Sequence, residues 1–182
     1  MKELSLNILD IAENSVKAGA TLTEISVSED DERLVITIKD DGCGMTEEIL
    51  NSVTNPFYTT RTTRSVGMGI PLLKLEAEMT GGSLTISSKH KELYPENHGT
   101  LISAEFYKNH IDCVPLGDVV ASVTTLLRGH PDTDFLFTHK INEKEIVLDT
   151  RELRLVLEGV PLDTYEVIKW VEEFLNEQYK DN

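Results

Sequence analysis

The sequence predicts an α/β protein, because helical and strand periodicities alternate along it. Residues 3–19 repeat apolar side chains at helical spacing, with Leu4, Ile8, Ile11, Ala12 and Val16 on one stripe. The two runs that follow, "LTEISVS" and "RLVITIK", read as strands around the turn "EDDE". A second helix-then-strands set comes later, where "VGMGIPLLKLEAEMTGG" precedes "SLTISS" and "TLISAEFY".

Each element carries its own signals. Gly19 stands where the first helix can end. "TEEILNSV" predicts a short helix with Thr46 as N-cap and Glu47 and Glu48 in its first turn, where the helix dipole favours acids. "TNPFYTTRTTRS" has no periodicity and is rich in threonine, which predicts a loop. The helix after it opens on glycines and closes on Gly81-Gly82, and Pro71 is tolerable because it falls in the first turn. Past Asn109-His110 the pattern predicts a helix over 116–129, strands "DFLFTHKI" and "EIVLD", and one or two helices from Thr150 onward. A boundary is expected near residue 110, between a first domain, 1–110, and a small acidic α+β domain, 111–182.

A chain of 182 residues is long enough for one well-packed domain, or one domain with a small appendage. The net charge of −15 argues against nucleic acid and anionic membranes as main partners. Residues 111–182 hold 15 acidic against 7 basic side chains, so −8 of that charge lies there. The two cysteines, Cys43 and Cys113, and the polar interruptions in the first helix point to a reducing cytoplasm, with no disulfide and no membrane span.

Three stretches carry chemistry. On the first helix Asp10, Glu13, Asn14 and Lys17 share one stripe opposite the apolar one. Such a stripe is usually a solvated face. This mixture also holds a proton acceptor, a hard neutral ligand for Mg²⁺ and a cation for phosphate. "DDGCGM" follows a strand with two acids and two glycines. It reads as a turn, or as a place where a ligand approaches bare backbone; the spacing does not suit calcium or zinc. "RSVGMGIP" puts glycines at a helix start, where N–H groups and the dipole favour an anion, beside "TTRTTR" with its arginines and hydroxyls.

In order and spacing these stretches resemble the nucleotide-binding domain of the GHKL superfamily, which includes DNA gyrase, heat-shock chaperone, histidine kinase and MutL ATPases. "DIAENSVKAGATLTEISV" looks like the N box and "DDGCGM" like the first glycine box, D-x-G-x-G. "NPFYTTR" looks like the "PFFTTK" segment of histidine kinases, "GMGI" like the second glycine box, and "GGSLTISS" with "HGTLISAEF" like the closing strands. The resemblance spans residues 3–107. It implies a two-layer sandwich of helices on a mixed, mostly antiparallel sheet, with ATP and Mg²⁺ as ligands. Asn14 would hold Mg²⁺, and Asp40 would accept a hydrogen bond from the adenine amine. Gly42 and Gly44 would let adenosine lie against backbone, Lys17 would face phosphate, and Gly67 and Gly69 would wrap the phosphates. Thr100 would set a hydroxyl near adenine. Met45, Met68 and Ile70 flank these positions and complete the implied nucleotide-binding set. Residues 55–66 would form a lid with Arg61 and Arg64 as phosphate contacts.

Asp10 departs from the family pattern. MutL-type ATPases and anti-sigma kinases place a glutamate four residues before the asparagine as general base, and histidine kinases more often an asparagine. Aspartate can take a proton but is one methylene shorter, so Asp10 is the first candidate base and Glu13 the second.

A sensor histidine kinase carries a dimerising hairpin with its phosphoacceptor histidine ahead of the ATP domain. Here that domain pattern starts near residue 3, so the hairpin is not expected, and none of His90, His98, His110, His130 and His139 has the phosphoacceptor setting. The implied function is ATP hydrolysis or phosphoryl transfer to a partner protein. The alternative is an ATP-gated protein-binding switch with little turnover, in which the C-terminal segment presents a partner or homodimer surface. A scaffold with degenerate boxes would bind no nucleotide.

Overall fold

The computed structural model describes residues 3–54 and 68–180. Helix α1 (Leu4–Lys17) buries Leu4, Ile8, Ile11 and Ala12. It ends as its glycine suggests: Gly19 adopts φ +77, its N–H bonds the Val16 carbonyl, and Ala20 bonds back to Ser15. Strands β1 (Leu22–Glu29) and β2 (Arg33–Asp40) pair antiparallel. Asp30 closes their turn by accepting the N–H groups of Glu32 and Arg33. The short α2 (Glu47–Ser52) is capped by Thr46, and α3 (Gly69–Met79) admits Pro71 in its first turn. Strands β3 (Ser83–Lys89) and β4 (Gly99–Tyr107) follow.

Beyond β4 come α4 (Val119–Gly129), β5 (Asp134–Ile141), β6 (Lys144–Asp149), α5 (Thr150–Leu157) and α6 (Tyr165–Lys180). The helix expected from residue 116 starts at Val119, because Asp118 takes the N-cap role and accepts the Ala121 N–H.

All six strands form one sheet in the order β3-β4-β2-β1-β5-β6. Every neighbouring pair is antiparallel except β1 and β5, which run parallel in register from Leu22↔Asp134 to Glu29↔Ile141. On one face Ile25, Val27, Leu34, Ile36, Ile38, Ile102, Ala104, Phe106, Phe135 and Phe137 are buried, alternating with more exposed neighbours. Against the buried face α1 packs between α3 and α4, and α4 packs on α6. This is the two-layer sandwich with a mixed, mostly antiparallel sheet.

The division expected near residue 110 falls in the turn after β4, where His110 and Cys113 bond back. Sheet, core and helix ends run across it. The first N–H groups of α1, on Leu4 and Ser5, donate to the carbonyls of Pro115 (3.0 Å) and Leu116 (2.7 Å). The Ser122 hydroxyl of α4 donates to the Ser5 carbonyl. Buried apolar residues on both sides of 110 belong to one cluster.

Candidate functional site

The end of β2 carries the centre of the site. Leu34, Ile36 and Ile38 point to the buried face, and Asp40 continues that parity, so its side chain turns beneath α1. Its Oδ2 accepts a hydrogen bond from the Ser15 hydroxyl at 2.8 Å. Its Oδ1 accepts from the Gly42 N–H at 2.9 Å and the Thr100 N–H at 3.3 Å. A carboxylate has about four acceptor positions. Three donors therefore fix the orientation of Asp40 and leave it able to accept one more.

The loop after Asp40 is pinned on both sides. Cys43 donates its N–H to Ala18 (2.9 Å), Lys91 donates to Cys43 (3.0 Å), and His98 donates its Nδ1–H to the Gly42 carbonyl (2.6 Å). A Cβ at Gly42 would lie 3.0 Å from both the Ala18 methyl and Asp40 Oδ1. Gly44 has φ +68, and a Cβ there would lie 2.0 Å from the Lys89 carbonyl oxygen. Met45 donates its N–H to Ser88 Oγ, and the Ser88 and Thr100 hydroxyls bond each other at 2.8 Å.

On α1, Asp10, Glu13 and Asn14 are half-buried and Lys17 is exposed. The two carboxylates point to different neighbours. Asp10 meets the start of α3, where a Cβ on Gly69 would lie 2.2 Å from its Oδ2, so any larger residue there would push the carboxylate aside. Glu13 bonds His130 Nε2 at 2.9 Å, at the end of α4. Among the described residues the Asn14 amide nitrogen is buried without a hydrogen-bond partner, and so are the Thr23 hydroxyl, across from Asp40 on β1, and the Asn7 amide oxygen.

The structure thus brings Asp10, Asn14, Asp40, Gly42, Gly44, Gly69 and Thr100 to one end of the sheet, under α1 and beside α3. Met68 is 64% exposed at the N-cap of α3, whereas Ile70 is 4% exposed and packs into the core. Arg61, Arg64, Gly67 and the expected lid, 55–66, lie outside the described residues.

Three supporting residues, Ser15, His98 and His130, escaped the sequence reading, and Asp41, expected to line the site only loosely, instead clamps the start of β1. Ser15 sits on the apolar stripe of α1, four residues after Ile11, and a polar side chain at that position was its signal. Asp41 has the opposite strand parity to Asp40, so it turns away and accepts from Thr21 and Leu22 at the start of β1. Burial raises the Asp41 carboxyl, but those donors outweigh it and hold the group below its usual range. His98 and His130 had no local signal, since their partners are distant in the chain. A buried contact also joins α1 to α3, where Asn7 Nδ2 donates to Glu76 Oε2.

Comparison with known proteins gives a consistent picture. Residues 2–110 match the family described as histidine kinase-, DNA gyrase B-, and HSP90-like ATPase. Sporulation kinase A of Bacillus subtilis is 30% identical over 108 residues, covering 59% of this chain and 16% of that kinase. The chain thus spans a small part of the curated relatives it matches. The Aquifex aeolicus MutL ATPase domain, solved with ADP, superposes with a TM-score of 0.53 at 14% identity, covering 87% of this chain and 70% of that one. The N-terminal domain of a DNA repair protein gives 0.54 at 13% identity, with 82% and 53% covered. At such identities the likeness is one of fold. It runs past residue 110, because 87% of this chain is more than the family match spans. By the match over residues 2–110, the chain belongs to the histidine kinase-, DNA gyrase B- and HSP90-like ATPase family.

Proposed function

We propose that the chain binds Mg²⁺-ATP at the end of the sheet beneath α1, and hydrolyses it or passes its phosphoryl group to a partner protein in the cytoplasm. The observation that carries this reading is the state of Asp40: three donors orient it and one acceptor position remains, while the glycines beside it let the loop pack closely on Ala18 and Lys89 and hold the carboxylate in place. An amine on a flat base would complete such a carboxylate, as adenine does in this family.

The residues present fit Mg²⁺. Asn14, one turn from the Asp10 carboxylate, would offer its amide oxygen to the ion, and its buried nitrogen, without a partner among the described residues, is a donor suited to a phosphate oxygen. Among the described residues no group of three or more His, Cys, Asp or Glu is set to hold a metal ion. An ion here would be held through one side chain, substrate phosphates and water. Bound there, Mg²⁺ would neutralise phosphate charge. Asp10, against the N-terminus of α3, is then the carboxylate placed to orient or deprotonate an attacking group. Glu13 is turned toward His130.

The switch reading has an observation of its own. The Glu13–His130 bond and the capping of α1 by Pro115 and Leu116 tie the site helix to residues 111–180. Nucleotide bound against α1 would be felt there.

Calorimetric titration with ATP and GTP, with and without Mg²⁺, tests the binding. Asn14→Ala should remove the Mg²⁺ dependence of ATP affinity. Absence of adenine-nucleotide binding would sink the whole reading. Phosphate release by the purified chain, with Asp10→Asn and Glu13→Gln beside it, separates the branches. Release lost in Asp10→Asn supports hydrolysis with Asp10 as base, and binding without release supports a kinase or switch.

A further inference from the structure

We propose that the groove between β6, α5 and α6 is the docking site for an amphipathic helix of a partner protein, one that carries apolar anchors and a lysine or arginine at its edge. The groove lies at the sheet edge formed by β6, three strands from β2 and its Asp40. Its volume is about 550 Å³, which is in the range of sites that hold a ligand. Buried Leu148, Leu153 and Val167 contribute to its lining, together with Val156, Trp170 and Phe174.

These last three are not arranged as a closed core. Val156 is 80% exposed and Trp170 49% exposed. The Trp170 and Phe174 rings stack with centroids 5.2 Å apart and planes 9° from parallel. A stacked aromatic pair presented beside an exposed valine is a large, stiff apolar surface, of the kind that supplies interface anchors. Two helices flanking a strand form a trough that a third helix fills with side chains at i, i+3, i+4 and i+7.

Charge selects the partner. The groove is lined by Asp149, Glu152 and Glu166 and by no lysine or arginine. Asp149 is paired with Arg151 at 2.6 Å. Glu152 and Glu166 enter no ion pair among the described residues. A helix with a basic edge pairs them. A second copy of this chain, of net charge −15, would bring like charges together at the same place.

The test uses the full chain and fluorescein-labelled peptides of about four helical turns. One is a leucine–lysine amphipathic helix, one its leucine–glutamate counterpart, and one a leucine–lysine scramble without a single apolar face. Anisotropy is read near physiological salt, where long-range attraction is screened. The expected result is binding of the first peptide alone. Trp170→Ala should weaken it about tenfold, and the pair Glu152→Gln with Glu166→Gln should do so too. The glutamine changes lie on the surface and keep the fold, which circular dichroism checks. No binding, equal binding of any two peptides, or wild-type affinity in the glutamine pair would overturn the proposal. So would a dimer in light scattering that Val156→Lys converts to monomer, since a second copy would then fill the groove.

Discussion

The two ends of the sheet treat buried polar groups in opposite ways. At the end where β1 finishes, His139 is 2% exposed, and both its ring nitrogens are bonded, to Tyr179 at 2.6 Å and to Glu29 at 3.0 Å. The second Glu29 oxygen takes Lys108 at 2.6 Å. That cluster joins β1, the end of β4, β5 and α6, and it is closed. At the other end Asp40 keeps an acceptor position, and the Asn14 amide nitrogen and Thr23 hydroxyl are buried without partners. A buried polar group left unpaired costs about 1–3 kcal/mol. On the proposed reading, the closed cluster is scaffold and the open one is the nucleotide site.

The comparison breaks if the two clusters answer mutation alike. The largest effect is expected at the closed end. His139→Ala removes ring packing and strands Tyr179 and Glu29, which should lower unfolding free energy by about 3 kcal/mol in urea titration while leaving ATP affinity within about twofold. Next is the open end. Asp40→Asn should weaken ATP about 100-fold by calorimetry and remove its preference over GTP, with a stability loss of only about 1 kcal/mol. Loss of nucleotide affinity in the first variant, or of stability alone in the second, would reverse the assignment of scaffold and site.

The open end was legible in the sequence and the closed end was not, for a physical reason. Asp10, Asn14, Asp40 and the glycines sit at fixed offsets within single elements, so their spacing survives in the linear chain. Element boundaries were legible too, because period and caps are local: β5 was expected over 134–141 and lies there. What joins distant segments left no such trace. The parallel pairing of β5 with β1, which places residues 111–180 in the same sheet, depends on a register no local pattern states. Lys108–Glu29–His139–Tyr179 and Glu13–His130 arise only once that register is set. Parity did hold a clue to the twin acids. Counting by twos from Leu34 turns Asp40 inward and Asp41 outward, which separates the proposed base reader from the clamp.

A pH titration sharpens the closed end. Burial holds the His139 imidazole below its ordinary value of 6.5, against an upward pull from Glu29 and with a small further push down from Lys108. The folded protein therefore resists a proton that the unfolded chain accepts. Stability should be intact above pH 6.5 and decline as pH falls below it, until the lowered folded value is passed. Each unit of lowering is worth about 1.4 kcal/mol. Melting temperature followed from neutral to mildly acid pH should drop less in His139→Gln. Equal slopes would mean that the other histidines carry the dependence.

The smallest expected effect concerns the bond between the ends of α1 and α4. His130 and Glu13 bond at the outer ends of α1 and α4, where each side chain keeps about a quarter of its surface in water that screens the pair, and His130→Ala should cost about 1 kcal/mol. Its value lies in what it does to turnover. If Asp10 serves as the base, Glu13 is a tether, and freeing it from His130 should change phosphate release by less than about twofold. If Glu13 serves, His130 is the group that orients it, and His130→Ala should lower release as far as Glu13→Gln does. The geometry favours the first outcome, because Asp10 rather than Glu13 lies against the glycine that opens α3.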